Sequence, residues 1–497
     1  MENIKIHNDN LLVRLVKNSF FLITSRIIDI AAVIITTPIV ARYLGLTAFG
    51  DYAIAMAVGM FLQPLVDFGF ERIVCRDVAR KNRSANETVN SAIIVRLLLS
   101  VCIIFIAYLI VEQAFSSREL KIAVVVSITT EIMISFAAFY LAVVKAYERM
   151  EYELISNFAH RIAFIAAILT AIFFDLGFLW LFYARLFSSF IFVILAIFFV
   201  YRRFITFRWR ISIDIAKLLF QQSYPIAIFA FMLTASFKID VFFLKYFGDS
   251  SDVALFEASH RLIMHLQFIP LSIAFSVFPF LSKKSEEDPD SLNSYYEKTL
   301  KFFYIFSILP TMLMVLGADE LIYLLFGEEF MPSASALKIL AGTFVFLAMV
   351  TLQHNMLIIL GKQRSGIISV AACFIVNCLL DYTIVPRYGY IGASIATFVS
   401  YFILFVSASY FVYVNIGKIN IARVLVKPTV SVLLTGVVFY VVLNGTIISL
   451  IIAFILGLPA YFIALLALKT FSDSELISVK GIMFKKKRRM IPEGNSL

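Results

Sequence analysis

Charge is scarce in this 497-residue chain. Asp, Glu, Lys and Arg make up 15% of it, and no long polar block interrupts the sequence. Soluble domains carry about 25% charged and about 45–50% apolar residues. A chain that is 61% apolar, with a mean hydropathy of +0.92, is excluded from that class. Tryptophan is nearly absent, with 2 residues against 52 phenylalanines. The four cysteines, Cys75, Cys102, Cys373 and Cys378, lie in or beside apolar runs with no metal-ligand spacing and no pairing in outer loops. That argues against a metal centre or a disulfide framework. The net charge of +10 would suit nucleic acid, but membrane topology accounts for the cations better, so no nucleic-acid partner is expected.

Apolar sequence runs from end to end. A helix crosses about 30 Å of hydrocarbon with about 20 apolar residues. Cutting the chain at charged or Gly/Pro-rich breaks gives fourteen such segments. Six fill the first part: Leu15–Ala41, Tyr52–Phe68, Val89–Val111, Ile122–Lys145, Leu154–Phe174 and Gly177–Val200. Six more follow: Phe220–Phe247, Val253–Leu281, Phe302–Phe326, Ser335–Leu360, Ile367–Pro386 and Ile391–Val414. The last pair is Pro428–Leu443 and Thr446–Leu468. The expected fold is therefore all-α, a polytopic membrane protein embedded in the lipid bilayer.

Lys and Arg accumulate on the cytoplasmic side of such proteins. With the N-terminus inside, thirty cations fall in inner segments and five, Arg42, Arg118, Lys121, Lys245 and Arg387, fall outside. This asymmetry predicts a multi-pass protein of the cytoplasmic (inner) membrane with both termini in the cytoplasm. The first apolar run is too long for a cleavable signal and carries Arg26 and Asp29. The basic run Lys485–Arg489 reads as a contact with anionic inner-leaflet lipid.

An internal repeat organises the segments. Ala41-Arg42-Tyr43-Leu44-Gly45 ends the first, and Leu244-Lys245-Tyr246-Phe247-Gly248 ends the seventh. Six segments lie between them, so the halves enter the membrane in the same sense, as in transporters whose substrate site lies between parallel repeats. The expected division is an N-lobe at 1–200, a cytoplasmic linker at 201–217, a C-lobe at 218–415, a helix pair at 416–470 and a basic tail at 471–497.

Eight cations lie inside the apolar segments: Arg26, Arg96, Lys145, Arg161, Arg185, Lys238, Arg261 and Lys338. Lys145 and Lys338 are near segment ends. Each of the other six would cost about 2.5–3.5 kcal/mol facing lipid, so they are expected to face protein or a wet cavity. Several have neighbours. Arg26 and Asp29 are i,i+3, and Glu257, Arg261 and His265 form an i,i+4 ladder with His260 beside it. Lys238 and Asp240 are two apart and look in different directions, with Glu131 a candidate partner from the fourth segment. The plainer account makes all of these buried ion pairs that fix helix register. Yet the cations outnumber the clear intramembrane acids, Asp29, Glu131, Asp240, Glu257 and Asp381. A net-positive interior suits an anionic cargo, and arginine's planar donor fork suits phosphate. Arg26, Arg96, Arg161, Arg185, Lys238 and Arg261 are thus the candidate substrate-binding residues. Asp29, Glu131, Asp240, Glu257, His260 and His265 are the candidate ion-coupling or charge-pairing groups. No catalytic residue, metal or cofactor is expected, with protons or sodium left open as the coupling ion.

Four stretches carry a family resemblance. They are Ala41–Gly45 with Phe49-Gly50-Asp51-Tyr52, Asp67–Phe70 and Arg76–Arg80; Leu324–Phe330 followed by Ser335–Leu340; Leu360–Gln363; and Asn377 with Pro386–Thr397. Together they resemble the polysaccharide transporter (Wzx-type) branch of the MOP superfamily, the lipid-linked oligosaccharide flippases. The resemblance implies two six-helix lobes, V-shaped around a central cationic cavity, with the last helix pair as an appendage. It implies a polyprenyl-(pyro)phosphate-linked glycan as cargo for O-antigen, capsule or related glycan assembly, with a polysaccharide polymerase and glycosyltransferases as pathway partners. In lipid II flippases of that superfamily, arginines of the first and eighth spans serve the cavity, and Arg26 and Arg261 look like their counterparts by placement.

Two rival readings remain. A membrane glycosyltransferase or polymerase would need outward catalytic loops with paired acids, and these outer loops are short and lack Asp-x-Asp. A cation-coupled small-molecule exporter of the MATE type shares the fold, and twelve spans with an acid-lined N-lobe would favour it.

Overall fold

The computed structural model describes residues 11–80, 85–206, 212–443 and 445–471, and every element among them is helical. The first half holds α1 (Leu11–Asp67), the short α2 (Phe70–Ala79), α3 (Ala85–Ala114), α4 (Arg118–Ala146), α5 (Glu151–Phe173) and α6 (Phe178–Arg203). The second holds α7 (Ile213–Phe247), α8 (Ser250–Leu266), α9 (Phe268–Glu287), α10 (Leu292–Leu316), α11 (Ala318–Phe326), α12 (Ser333–Ile359) and α13 (Gln363–Ile416). α14 (Ile421–Val442) and α15 (Ile447–Ala467) follow. The linker residues 207–211 and the tail 472–497, with Lys485–Arg489, lie outside the described residues.

Twelve helical stretches among the described residues are long and apolar enough to cross a membrane. Two of them are double length. A straight helix the length of α1, 57 residues, would reach about 85 Å, nearly three times the hydrocarbon core. It breaks instead at Gly45, where φ is 72°. α13, 54 residues long, breaks at Gly389, where φ is 51°. Left-handed backbone of this kind is nearly free for glycine and strained for a residue with a Cβ. The fourteen apolar segments and the twelve stretches differ only in how these two broken helices are counted.

Elsewhere the segment boundaries need correction. The eighth segment, Val253–Leu281, is two helices that part at Gln267. Pro270 sits just beyond, with no N–H to give and a ring that collides with the carbonyl four residues back. The ninth, Phe302–Phe326, starts ten residues earlier than its apolar run, at Leu292, and ends at Leu316. Gly317 then separates it from α11.

α4 packs on α1, α2 and α6, and α12 packs on α8, α10 and α13. These two are the fourth segments of their halves, and in each 61% of the most apolar stretch is buried. Equivalent helices thus form the centre of each half. The halves meet largely through α1, which lies against both α7 and α8. α14 and α15 pack on each other, and α14 also packs on α10.

Candidate substrate site between the two halves

The intramembrane cations sort into two kinds once their partners are seen. Arg96 and Arg185 are locked inside the N-terminal half. Arg96 is fully buried. Its Nη1 donates to Asp67 at 2.7 Å and its Nη2 to Ser135 Oγ at 2.6 Å. Its guanidinium also lies 5.0 and 4.7 Å from the Phe136 and Phe139 ring centroids. Arg185 gives Nη2 to Glu131 at 2.7 Å and turns Nη1 to Met56 Sδ. Both are one-to-one ion pairs, Arg96 joining α3 to α1 and α4, and Arg185 joining α6 to α4. The expectation that Glu131 would partner the Lys238–Asp240 region is corrected. Glu131 serves Arg185.

The remaining four cations form two triads, one on each half. In the first, Arg161 Nε of α5 donates to Asp29 Oδ1 of α1 at 2.8 Å. Arg26 approaches Asp29 only to 3.9 Å, with 63% of its side chain exposed. The i,i+3 neighbour is therefore the looser partner, and the distant helix holds the acid. In the second triad, Glu257 of α8 is fully buried. It accepts from Lys238 Nζ of α7 at 2.8 Å and from Arg261 Nε at 2.6 Å. Arg161 and Arg261 each spend only Nε on an acid, leaving both terminal nitrogens without a hydrogen-bond partner among the described residues.

The triads lie along the seam between the halves. Arg261 sits 5.4 and 5.9 Å from the ring centroids of Phe49 and Tyr52, on the second arm of α1. Arg26 and Asp29 of the first triad lie on α1, the helix through which the halves meet. Counted by direct ion pairs, each triad carries two cations and one carboxylate. His265 adds no hydrogen bond through Nε2. His260 is buried against Phe256, ring centroids 5.1 Å apart, with both nitrogens unpartnered.

Asp240 belongs elsewhere. Two residues from Lys238 on α7, it faces α13, where Asn377 Nδ2 donates to Asp240 Oδ1 at 3.0 Å and to Asp381 Oδ2 at 3.2 Å. Thr397 Oγ1 donates to Asp240 Oδ1 at 2.8 Å, and Ser400 Oγ to Asn377 Oδ1 at 2.6 Å. The break at Gly389 makes this possible, because it folds α13 back so that residues on both arms reach one point. Both carboxyl groups are buried, and Asp240 Oδ2 and Asp381 Oδ1 have no partner. No Lys, Arg or His pairs with either among the described residues. Asn377, Thr397 and Ser400 were missed as members of this cluster. Their signal was the i,i+4 spacing of Asn377 and Asp381 in an apolar segment.

The two helical halves meet along a charged seam and are built almost wholly of membrane-length helices, as in a multi-pass membrane protein. The chain belongs to the polysaccharide biosynthesis protein family, which it matches over residues 15–285. Residues 225–383 also match the MatE family. It is 23% identical over 236 residues to a Haloferax volcanii protein named a probable low-salt glycan biosynthesis flippase, covering 45% of this chain and 48% of that one. It is 26% identical over 160 residues to a Shigella flexneri protein named as an O-antigen transporter, covering 32% and 37%. The matched stretch thus spans half or less of these relatives' own length. A solved structure of the lipid II flippase MurJ, in an inward closed conformation, shares the fold with a TM-score of 0.75 at 15% identity. That match covers 90% of this chain and 98% of the MurJ chain.

Proposed function

We propose that this protein is a flippase. It moves a polyprenyl phosphate or pyrophosphate carrying a short oligosaccharide from the inner to the outer leaflet of the cytoplasmic membrane, by alternating access, for assembly of a cell-surface glycan. The physical problem is the head group, because an anion stripped of water in hydrocarbon costs many kcal/mol. One observation carries the reading: each triad at the seam has one cation more than its acid can neutralise. The cargo phosphate takes the free terminal nitrogens of Arg161 and Arg261, with Arg26 and Lys238 completing the charge, while the lipid tail stays in the bilayer. A MATE-type exporter of organic cations would need the opposite surplus at this seam. Glycosyltransferases would load the carrier lipid and a polymerase would consume the delivered glycan, and the named relatives support that pathway.

The buried Asp240–Asp381 pair is the proposed coupling site. Its donors are all oxygen, which suits a hard cation or a proton and not a transition metal. Two adjacent carboxyls without a basic partner call for a positive species between them.

The triads permit a clean test. Arg261→Ala leaves Glu257 with Lys238, and Arg26→Ala leaves Asp29 with Arg161, so neither strands a buried charge. Both variants should reach the membrane at normal abundance and lose export at least about tenfold, with sugar-loaded carrier lipid accumulating on the inner leaflet. Normal export by both would refute the site.

A further inference from the structure

The scarcity of outer cations makes the position of Arg42 informative. Arg42 closes the first arm of α1, yet its guanidinium reaches into the other half. Its Nε donates to the Leu325 carbonyl at 2.9 Å, and its Nη2 donates to the Leu324 and Tyr323 carbonyls at 2.6 and 3.1 Å. These oxygens belong to the last turn of α11, where a cation is favoured by the helix dipole; the Tyr323 carbonyl also accepts from the Gly327 amide at 3.1 Å, while those of Leu324 and Leu325 are the orphans of a helix end.

The reverse contact lies beside it. Glu329 Oε2, just past α11, accepts from the Leu46 amide at 3.2 Å. Leu46 opens the second arm of α1, where amides are the orphans and a carboxylate is favoured. A Cβ on Gly45 would stand 3.3 Å from the same Glu329 oxygen, so the glycine that breaks α1 also admits the cap. The N-terminal half thus caps the end of a helix in the C-terminal half, and the C-terminal half caps the start of a helix in the N-terminal half.

We propose that Arg42 and Glu329 are a reciprocal helix-capping latch that holds the outer ends of the two halves together and is released when the outer face opens. They are positioning residues and touch no cargo. A second row of contacts lies alongside. Ser250 Oγ donates to Asp51 Oδ1 at 2.5 Å, Lys245 Nζ donates to Ser250 Oγ at 2.9 Å, and Thr47 and Ser251 hydroxyls are 3.3 Å apart. The latch groups are better suited to switching than an apolar contact. Once parted, an arginine, a carboxylate and two open helix ends are all readily solvated by outer-face water.

The test uses the full chain in proteoliposomes, with the native cysteines replaced and the pair Thr47→Cys and Ser251→Cys introduced as a reporter of closure. The parent should form the disulfide readily, since the two hydroxyls are already in contact. Arg42→Ala and Glu329→Ala should each slow cross-linking at least about tenfold at unchanged thermal stability, with Arg42→Lys intermediate because a compact ammonium on a flexible stem lacks the spread donor fork of the guanidinium. Parent-like rates in both alanine variants would overturn the latch. If an alanine variant fails to fold, the Arg42→Lys rate decides, and a parent-like value there also overturns it. The consequence for transport rests on the flippase reading. Slowed cross-linking in the alanine variants of a protein whose parent exports no lipid-linked glycan would sustain the latch and count against that reading.

Discussion

Arg96 and Arg261 are both intramembrane arginines bound to a carboxylate at 2.7 Å or less, and their substitution should have opposite consequences. Arg96→Ala removes the sole cation of Asp67 and empties the space between Phe136 and Phe139. Breaking a buried pair from one side costs about 3–5 kcal/mol, so a large fall in thermal stability is expected in detergent, with export lost only because the protein is lost. Arg261→Ala forfeits one charge-assisted hydrogen bond, worth about 1.5–3 kcal/mol, and keeps Glu257 neutralised, so stability should fall less while export collapses. Equal stability losses would remove the distinction between structural pairs and cargo-facing triads. The sequence cannot draw that distinction. Arg96 and Arg161 look alike there, since each is a deep arginine and each partner lies on a distant helix: Asp67 is 29 residues from Arg96, and Asp29 is 132 residues from Arg161. Only the pairs within one helix, Glu257 with Arg261 and Arg26 with Asp29, are visible in the sequence, because helical spacing fixes such contacts without knowledge of the fold.

At the scale of elements, apolar length located the membrane helices and failed at their ends. α10 begins at Leu292 because its first turns, with Glu297, Lys298 and Lys301, are a polar extension that an apolar run excludes. The glycines of the seam were legible as motif residues but not as contacts. Gly50 shows what one of them does. A Cβ built there would lie 1.7 Å from the Ser250 carbonyl oxygen, so α1 and α8 can touch only because position 50 has no side chain. Gly50→Ala forces the two helices apart at this crossing without disturbing either helix, since alanine is the better helix former. The expected result is a folded protein in which Thr47→Cys becomes several-fold more reactive to a membrane-impermeant maleimide added outside. Unchanged labelling would mean that the outer seal does not depend on this crossing.

Across the whole molecule, α7 connects the two charged centres. Lys238 and Asp240 are two residues apart, which at about 100° per residue turns them to opposite sides of the helix. One side meets Glu257 at the seam between the halves, and the other meets Asn377, Thr397 and Asp381 inside the C-terminal half. A change in charge at Asp240 therefore acts on the helix that presents Lys238 to Glu257 at the seam, and coupling between two such sites is reciprocal in binding free energy. Asp240→Asn keeps the hydrogen-bonding shape while removing one of the two adjacent carboxylates. In proteoliposomes held at fixed pH, export by the parent should rise with sodium when choline is the replacement ion, and the Asp240→Asn protein should show a flat response. A flat parent response to sodium with a steep response to a pH gradient would assign the pair to protons. A parent insensitive to both, or an Asp240→Asn protein that keeps the parent's ion dependence, would show that this buried pair serves only to join α7 to the two arms of α13.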